Sequence, residues 1–217
     1  MKIDEIILYT NNIESQKRFY REILELEMVV DTFNKLSFKV GRSVLTFVYA
    51  EEFRSSHFAF NIPSNGITKA HNWLKNRVAI LTYEGKPVAD FKSWNAKAIY
   101  FYDADKNIVE LIARKNLKRN SSHPFSSSEL LSISEIGIAS TDIESVYNRL
   151  NNMKETPIFG GEFSSFCAVG NDEGLFILVN KNTKTWFPTM EDIYISDVIV
   201  KGDHNFTYRN GKIEELY

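Results

Sequence analysis

The chain has 217 residues, enough for one large domain or two small ones. Its 43% hydrophobic and 25% charged residues are ordinary for a globular protein, and 13% aromatics point to a bulky, sheet-rich core. A formal charge of -2 and no Lys/Arg stripe along a helix argue against nucleic-acid binding. The single cysteine, Cys167, fits a reducing compartment. No basic-then-apolar leader opens the chain, and no apolar run approaches the ~20 residues that span a bilayer. The expectation is a cytoplasmic protein with neither a nucleic-acid nor a membrane partner.

In chain order, Glu5–Thr10 alternates and reads as a strand. Asn11-Asn12-Ile13 starts a helix that runs to Glu25, with Phe19, Ile23 and Leu26 at helical spacing. Three short strands follow at 28–33, 36–40 and 43–49, with Asn34-Lys35 and Gly41-Arg42 as turns. That unit is βαβββ. A second begins with the strand 57–62, turns at Pro63-Ser64-Asn65-Gly66 and continues as a helix over 67–77. Strands at 79–83, 98–102 and 108–114 complete it, the last two joined by Asp103-Ala104-Asp105-Lys106-Asn107.

The stretch 115–128 is Ser-rich, polar and interrupted by proline, so it reads as a connector. A third unit has strand 135–140, a helix over 142–150 capped by Thr141 or Asp142, and strands at 158–159, 163–169 and 175–179. Segments 193–200 and 206–216 are strand-like without a helix, as in a fourth unit that has lost its middle.

Three segments carry a resemblance. They are Ile13–Leu24 with its Phe-Tyr pair, the His-x-Ala-Phe strand His57-Phe-Ala-Phe, and the hairpin Ile99–Ile112 with its Asp-x-Asp turn followed by Glu-Leu. Together they resemble the vicinal oxygen chelate superfamily, which includes glyoxalase I, bleomycin-binding proteins, thiol transferases and extradiol dioxygenases. The resemblance implies an α+β fold of tandem βαβββ modules, forming cup-shaped curved mixed sheets with helices outside. It implies a complete two-module domain over 1–115, a linker over 116–128, and a reduced second domain of the same type over 129–217.

The superfamily holds a divalent metal on the first and last strands of paired modules, with a His, His, Glu set in the thiol transferases and dioxygenases. Carried over position by position, the resemblance implies Glu5, His57 and Glu110 as ligands, with Glu5 where a histidine is usual. Thr46 takes the matching last-strand position of the first module. Two carboxylates and one imidazole suit Fe(II), Mn, Zn or Ni. In the C-terminal half the corresponding positions fall on Glu135, Ile177 and roughly Asp197. Ile177 cannot ligate a metal, so that half is expected to have lost its site. The competing reading has Glu5 facing solvent, His57 hydrogen-bonded inside the cup and Glu110 paired with Arg114.

Tyr100 and Tyr102 share one strand face, so their hydroxyls are candidates to orient a ligand or donate a proton. Trp94 and Asn95, in a polar loop, are candidates to line a pocket mouth, with core packing as the alternative for Trp94. Trp186-Phe187-Pro188 reads as an anchor for the chain leaving the third module. His71 and His123 suit no catalytic role. His204 is expected in solvent, and Cys167 buried and inert. The function this implies is a metal-dependent, glyoxalase- or dioxygenase-like enzyme for a small substrate with vicinal oxygens. The alternatives are a metal-free binding cup for a small molecule and a regulatory or partner-binding module. A homodimer is left open.

Overall fold

The structure is a computed structural model and describes residues 1–216. The first module contains β1 (Ile3–Thr10), α1 (Ile13–Arg18), β2 (Met28–Asp31), β3 (Lys35–Val40) and β4 (Ser43–Tyr49). The Asn12 side chain caps α1 by accepting from the Ser15 N–H. From Phe19 to Ile23 the helix widens, and the Leu24 N–H reaches the Phe19 carbonyl five residues back. The second module contains β5 (His57–Ile62), α2 (Ile67–Leu74), β6 (Ile80–Leu81), β7 (Ala89–Phe91), β8 (Ala96–Tyr102) and β9 (Ile108–Arg114). The third contains β10 (Ser132–Ser140), α3 (Ile143–Met153), β11 (Ile158–Glu162), β12 (Phe166–Asn171) and β13 (Gly174–Asn180). A hairpin, β14 (Thr185–Trp186) and β15 (Glu191–Asp192), leads into β16 (Val198–Gly202), β17 (Phe206–Arg209) and β18 (Lys212–Glu215).

The modules pair in a way the sequence reading did not anticipate. β5 lies antiparallel to β10, so modules two and three share a nine-stranded sheet in the order β11-β12-β13-β10-β5-β9-β8-β6, with β7 on β8. Module one instead pairs β1 with β16, giving a second sheet in the order β18-β17-β16-β1-β4-β3-β2. Residues 1–115 are thus divided between two sheets, and strand pairing crosses the segment read as a linker. Part of that segment is tied to α2 and the turn before it, where Lys69 and Asn65 donate to the Ser121 carbonyl.

Alternation sorts each strand into two faces. Phe58, Phe60 and Ile62 of β5, Ile99 and Phe101 of β8, and Phe176 and Leu178 of β13 join Ile6, Leu8, Phe38, Phe47 and Val200 in one continuous core between the sheets. Ile13, Phe19, Leu74, Ile143 and Leu150 add the apolar stripes of the helices. The opposite face of the nine-stranded sheet is concave, and its floor is built of small residues: Ala59, Ala96, Ala98, Gly137, Ala139 and Ala168. The sheets meet closely at Gly41, which has φ +57° and sits where a Cβ would lie 2.1 Å from the Leu131 carbonyl oxygen. The Arg42 N–H donates to that carbonyl, and Ser43 Oγ ties Ile3 to the Ile133 N–H. Among the described residues, no helix is long and apolar enough to cross a membrane.

Candidate metal centre

Three ionisable side chains converge on the concave face: His57 from β5, Glu110 from β9 and Glu135 from β10. Their placement follows from register. Ala59 lies opposite Glu110 in the parallel β5–β9 pair, and Ala59 lies opposite Glu135 across the antiparallel seam. His57 Nε2 is 3.5 Å from Glu110 Oε2 and 3.8 Å from Glu135 Oε2. All three side chains are at least 93% buried.

The His57 Nδ1 lies 3.1 Å from the Ile108 carbonyl. A carbonyl only accepts, so Nδ1 donates there and Nε2 is turned to the centre. Glu135 places its other oxygen, Oε1, against the guanidinium of Arg114, which is fully buried and also lies near Ser134 Oγ. Burial pushes Glu110 well above the ordinary carboxylate range and the nearby Glu135 pushes it further, while Arg114 and a hydrogen bond from Tyr100 pull it back. Tyr100 is likewise driven well above its ordinary value, by burial and then by the two carboxylates, so its hydroxyl stays a donor.

The residues fit a divalent cation. Bonds of ~2.1 Å to nitrogen and oxygen leave neighbouring ligand atoms ~3.0–3.4 Å apart; the carboxylate oxygens stand 3.5 and 3.8 Å from His57 Nε2, and all three ligand atoms lie within 4.8 Å of one another. A buried carboxylate in excess of the local cations also asks for positive charge. Three protein ligands leave further coordination positions for water or substrate.

The centre opens on a cavity of about 170 Å³ walled by Phe91, Trp94, Tyr100, Phe166, Trp186 and Phe187. The hairpin 185–192 closes it. The Trp186 ring lies 5.5 Å from the His57 ring and its tip reaches the floor at Gly137, where a Cβ would stand 2.6 Å away. Phe187 packs against Tyr83, Phe91 and Tyr100.

Of the residues singled out in the sequence, the structure brings His57, Glu110, Tyr100 and Trp94 together. Glu5 is elsewhere: it lies on β1 in the other sheet, accepting from Thr46 Oγ1 at 2.7 Å and from Lys201 Nζ at 2.7 Å. Thr46 is buried beside it and also contacts Ser37. Neither residue reaches His57, because module one does not pair with module two. Tyr102 shares the Tyr100 face but packs outside the cavity wall, under Lys106 and towards Glu191. Asn95 adopts a left-handed turn and donates to Asn116 at the surface. Glu135, expected to belong to a half without a site, brings the second carboxylate to the cluster. His204 is buried against Thr156 and Phe176, not in solvent. Trp186, read as an anchor, roofs the cup.

Paired βαβββ modules with ligands on their first and last strands define a vicinal oxygen chelate protein. The Glyoxalase-like domain family model matches residues 3–114, and the chain belongs to that family. It is 32% identical to metallothiol transferase FosB of Staphylococcus haemolyticus, over 50% of this chain and 81% of that protein. FosB of Staphylococcus epidermidis matches at the same identity and coverage. A solved Bacillus subtilis structure, provisionally described as a dioxygenase, superposes over 82% of the chain with a TM-score of 0.60 at 16% identity. A variant of Zea mays glyoxalase I superposes over 82% with a TM-score of 0.55 at 12% identity. These two show the fold. The chain spans 63% of the length of the first and 67% of the second.

Proposed function

We propose that the chain is a metal-dependent enzyme acting on a small substrate with vicinal oxygens, at a centre formed by His57, Glu110 and Glu135. The observation that carries the reading is the convergence of one imidazole and two carboxylates, all buried, at the base of an aromatic cavity. One nitrogen and two oxygen donors suit Fe(II), Mn, Zn or Ni. A metal held there would act as a Lewis acid on two adjacent substrate oxygens.

The chain's own residues supply the rest. Trp94, Trp186 and Phe187 exclude water, which strengthens every charge interaction inside the cup. Tyr100 holds a proton at its hydroxyl beside Glu110, placed to donate to a substrate oxygen or to orient it. Lys184 lies at the rim, where an anionic substituent would meet it. The similarity to FosB favours thiol transfer and the His-x-Ala-Phe strand at His57 favours ring cleavage, so both reactions belong in the first screen.

The test is metal content of the purified protein together with Co(II), Mn and Zn titration. The expected result is one metal per chain, lost by at least about tenfold in affinity in His57→Ala and Glu110→Gln with the fold intact. No metal in any sample after incubation with these ions overturns the enzyme reading. Ligand-induced quenching of Trp94 or Trp186 in such metal-free protein would favour a binding cup instead.

A further inference from the structure

Modules two and three are related by the antiparallel seam between β5 and β10, and the register makes the relation explicit. Ala59 faces Glu110 in one module and Gly137 faces Ile177 in the other, so His57 and Glu135, each two residues earlier, occupy equivalent places. One module brings an imidazole to the centre and its counterpart brings a carboxylate. These differ by a full negative charge in a site that is almost closed to water.

We infer that Arg114 is a positioning residue that makes Glu135 an electrically neutral, one-oxygen ligand, equivalent to the imidazole of the partner module; the inference rests on the metal centre proposed above. Arg114 binds one oxygen of Glu135 and leaves Oε2 aimed at the centre. Its guanidinium cannot swing away. It is 0% exposed, it lies 5.6 Å from the Trp94 ring and 5.7 Å from the Phe159 ring, and its Nε donates to Ser134 Oγ at 3.4 Å. The guanidinium thus sets one fixed positive charge against the two carboxylates that face His57. Module one shows the same device. Glu5 holds the equivalent place there, since Ile7 faces Thr46 two residues on, and Lys201 covers it at 2.7 Å. A carboxylate at this strand position has a dedicated cation in both sheets.

The experiment compares Co(II) affinity by calorimetry and the visible Co(II) absorption bands in the parent, Glu135→His, the double variant Glu135→His/Arg114→Met, and Arg114→Lys. Glu135→His alone sets an imidazole beside a buried, unpaired guanidinium, and affinity is expected to fall about tenfold or more. The double variant removes that charge and is expected to recover affinity to within about threefold of the parent, with bands altered by the nitrogen ligand. Arg114→Lys keeps the charge but loses the planar fork beside Trp94 and Phe159, so the loss is expected to stay below about tenfold, and it serves equally if Glu135→His does not fold. A double variant no better than Glu135→His, or a loss beyond about tenfold in Arg114→Lys, overturns the inference while the centre stands. A parent that takes up no Co(II) overturns the centre and the inference together.

Discussion

Asp103 shows how much one carboxylate can hold. Its Oδ2 accepts from Gln16 Nε2, Tyr20 OH and Asn107 Nδ2, and its Oδ1 accepts from the backbone N–H of Asp105 and Asn107. It joins α1 and its widened turn in module one to the β8–β9 turn in module two. Burial raises it from the ordinary 3.8 to about 6. The native state therefore keeps a proton that the unfolded chain has lost between those values. This group's contribution to stability is fully present below 3.8 and is lost as pH rises through about 6. Unfolding midpoints measured from pH 4 to 7 should show that decline in the parent and a flatter profile in Asp103→Asn; identical profiles would contradict it. Asp103→Ala should cost about 2–4 kcal/mol in a denaturant titration, because buried donors lose their acceptor. Gly137 carries a second prediction. A methyl there meets Trp186 and the His57 backbone, so Gly137→Ala should cost about 1–3 kcal/mol and raise acrylamide quenching of tryptophan. Unchanged quenching would mean that the Trp186 ring does not depend on this floor. At this scale part was legible: alternation offered Tyr100 and Tyr102 for the cup face, of which Tyr100 lines the cavity, and the family resemblance nominated His57 and Glu110. Trp186 was not, because nothing local in Lys184-Thr-Trp-Phe-Pro188 says which cavity a loop will cross.

At the scale of elements, the βαβββ rhythm was readable because each strand alternates and each helix carries an apolar stripe. Weak local signals failed in a consistent way. The segment 79–83 holds only a two-residue strand, β6, and the following loop forms β7 by pairing with β8. The first helix ends its regular turns at Arg18 because the chain widens to seat Tyr20 between Phe38, Phe47 and Asp103. The hairpin β14–β15 owes its place to the aromatic contacts of Trp186 and Phe187, since it pairs with no other strand. The third residue of the proposed centre was missed for a related reason. Position in the module correctly equates Glu5, His57 and Glu135, but a sequence does not state which modules will share a sheet. That choice is made by long-range pairing, here by β10 against β5.

At the scale of the whole molecule, the continuous core and the Gly41–Leu131 junction bind the two sheets into one unit. Residues 1–115 alone would leave β5 without β10 and β1 without β16, exposing two strand edges. That fragment should therefore associate or precipitate on a sizing column, and adding residues 116–217 should restore a discrete complex. A soluble, cooperatively unfolding 1–115 fragment would refute this. The pairing pattern is nested, like one pair of brackets inside another: modules two and three join across a short span of chain, while β1 must find β16 from almost the far end. Bringing distant segments together costs more entropy than joining near ones. The inner sheet, and with it the geometry of the metal centre, is therefore expected to assemble first. The outer sheet would close around it later and serve as the latch on a centre already in place.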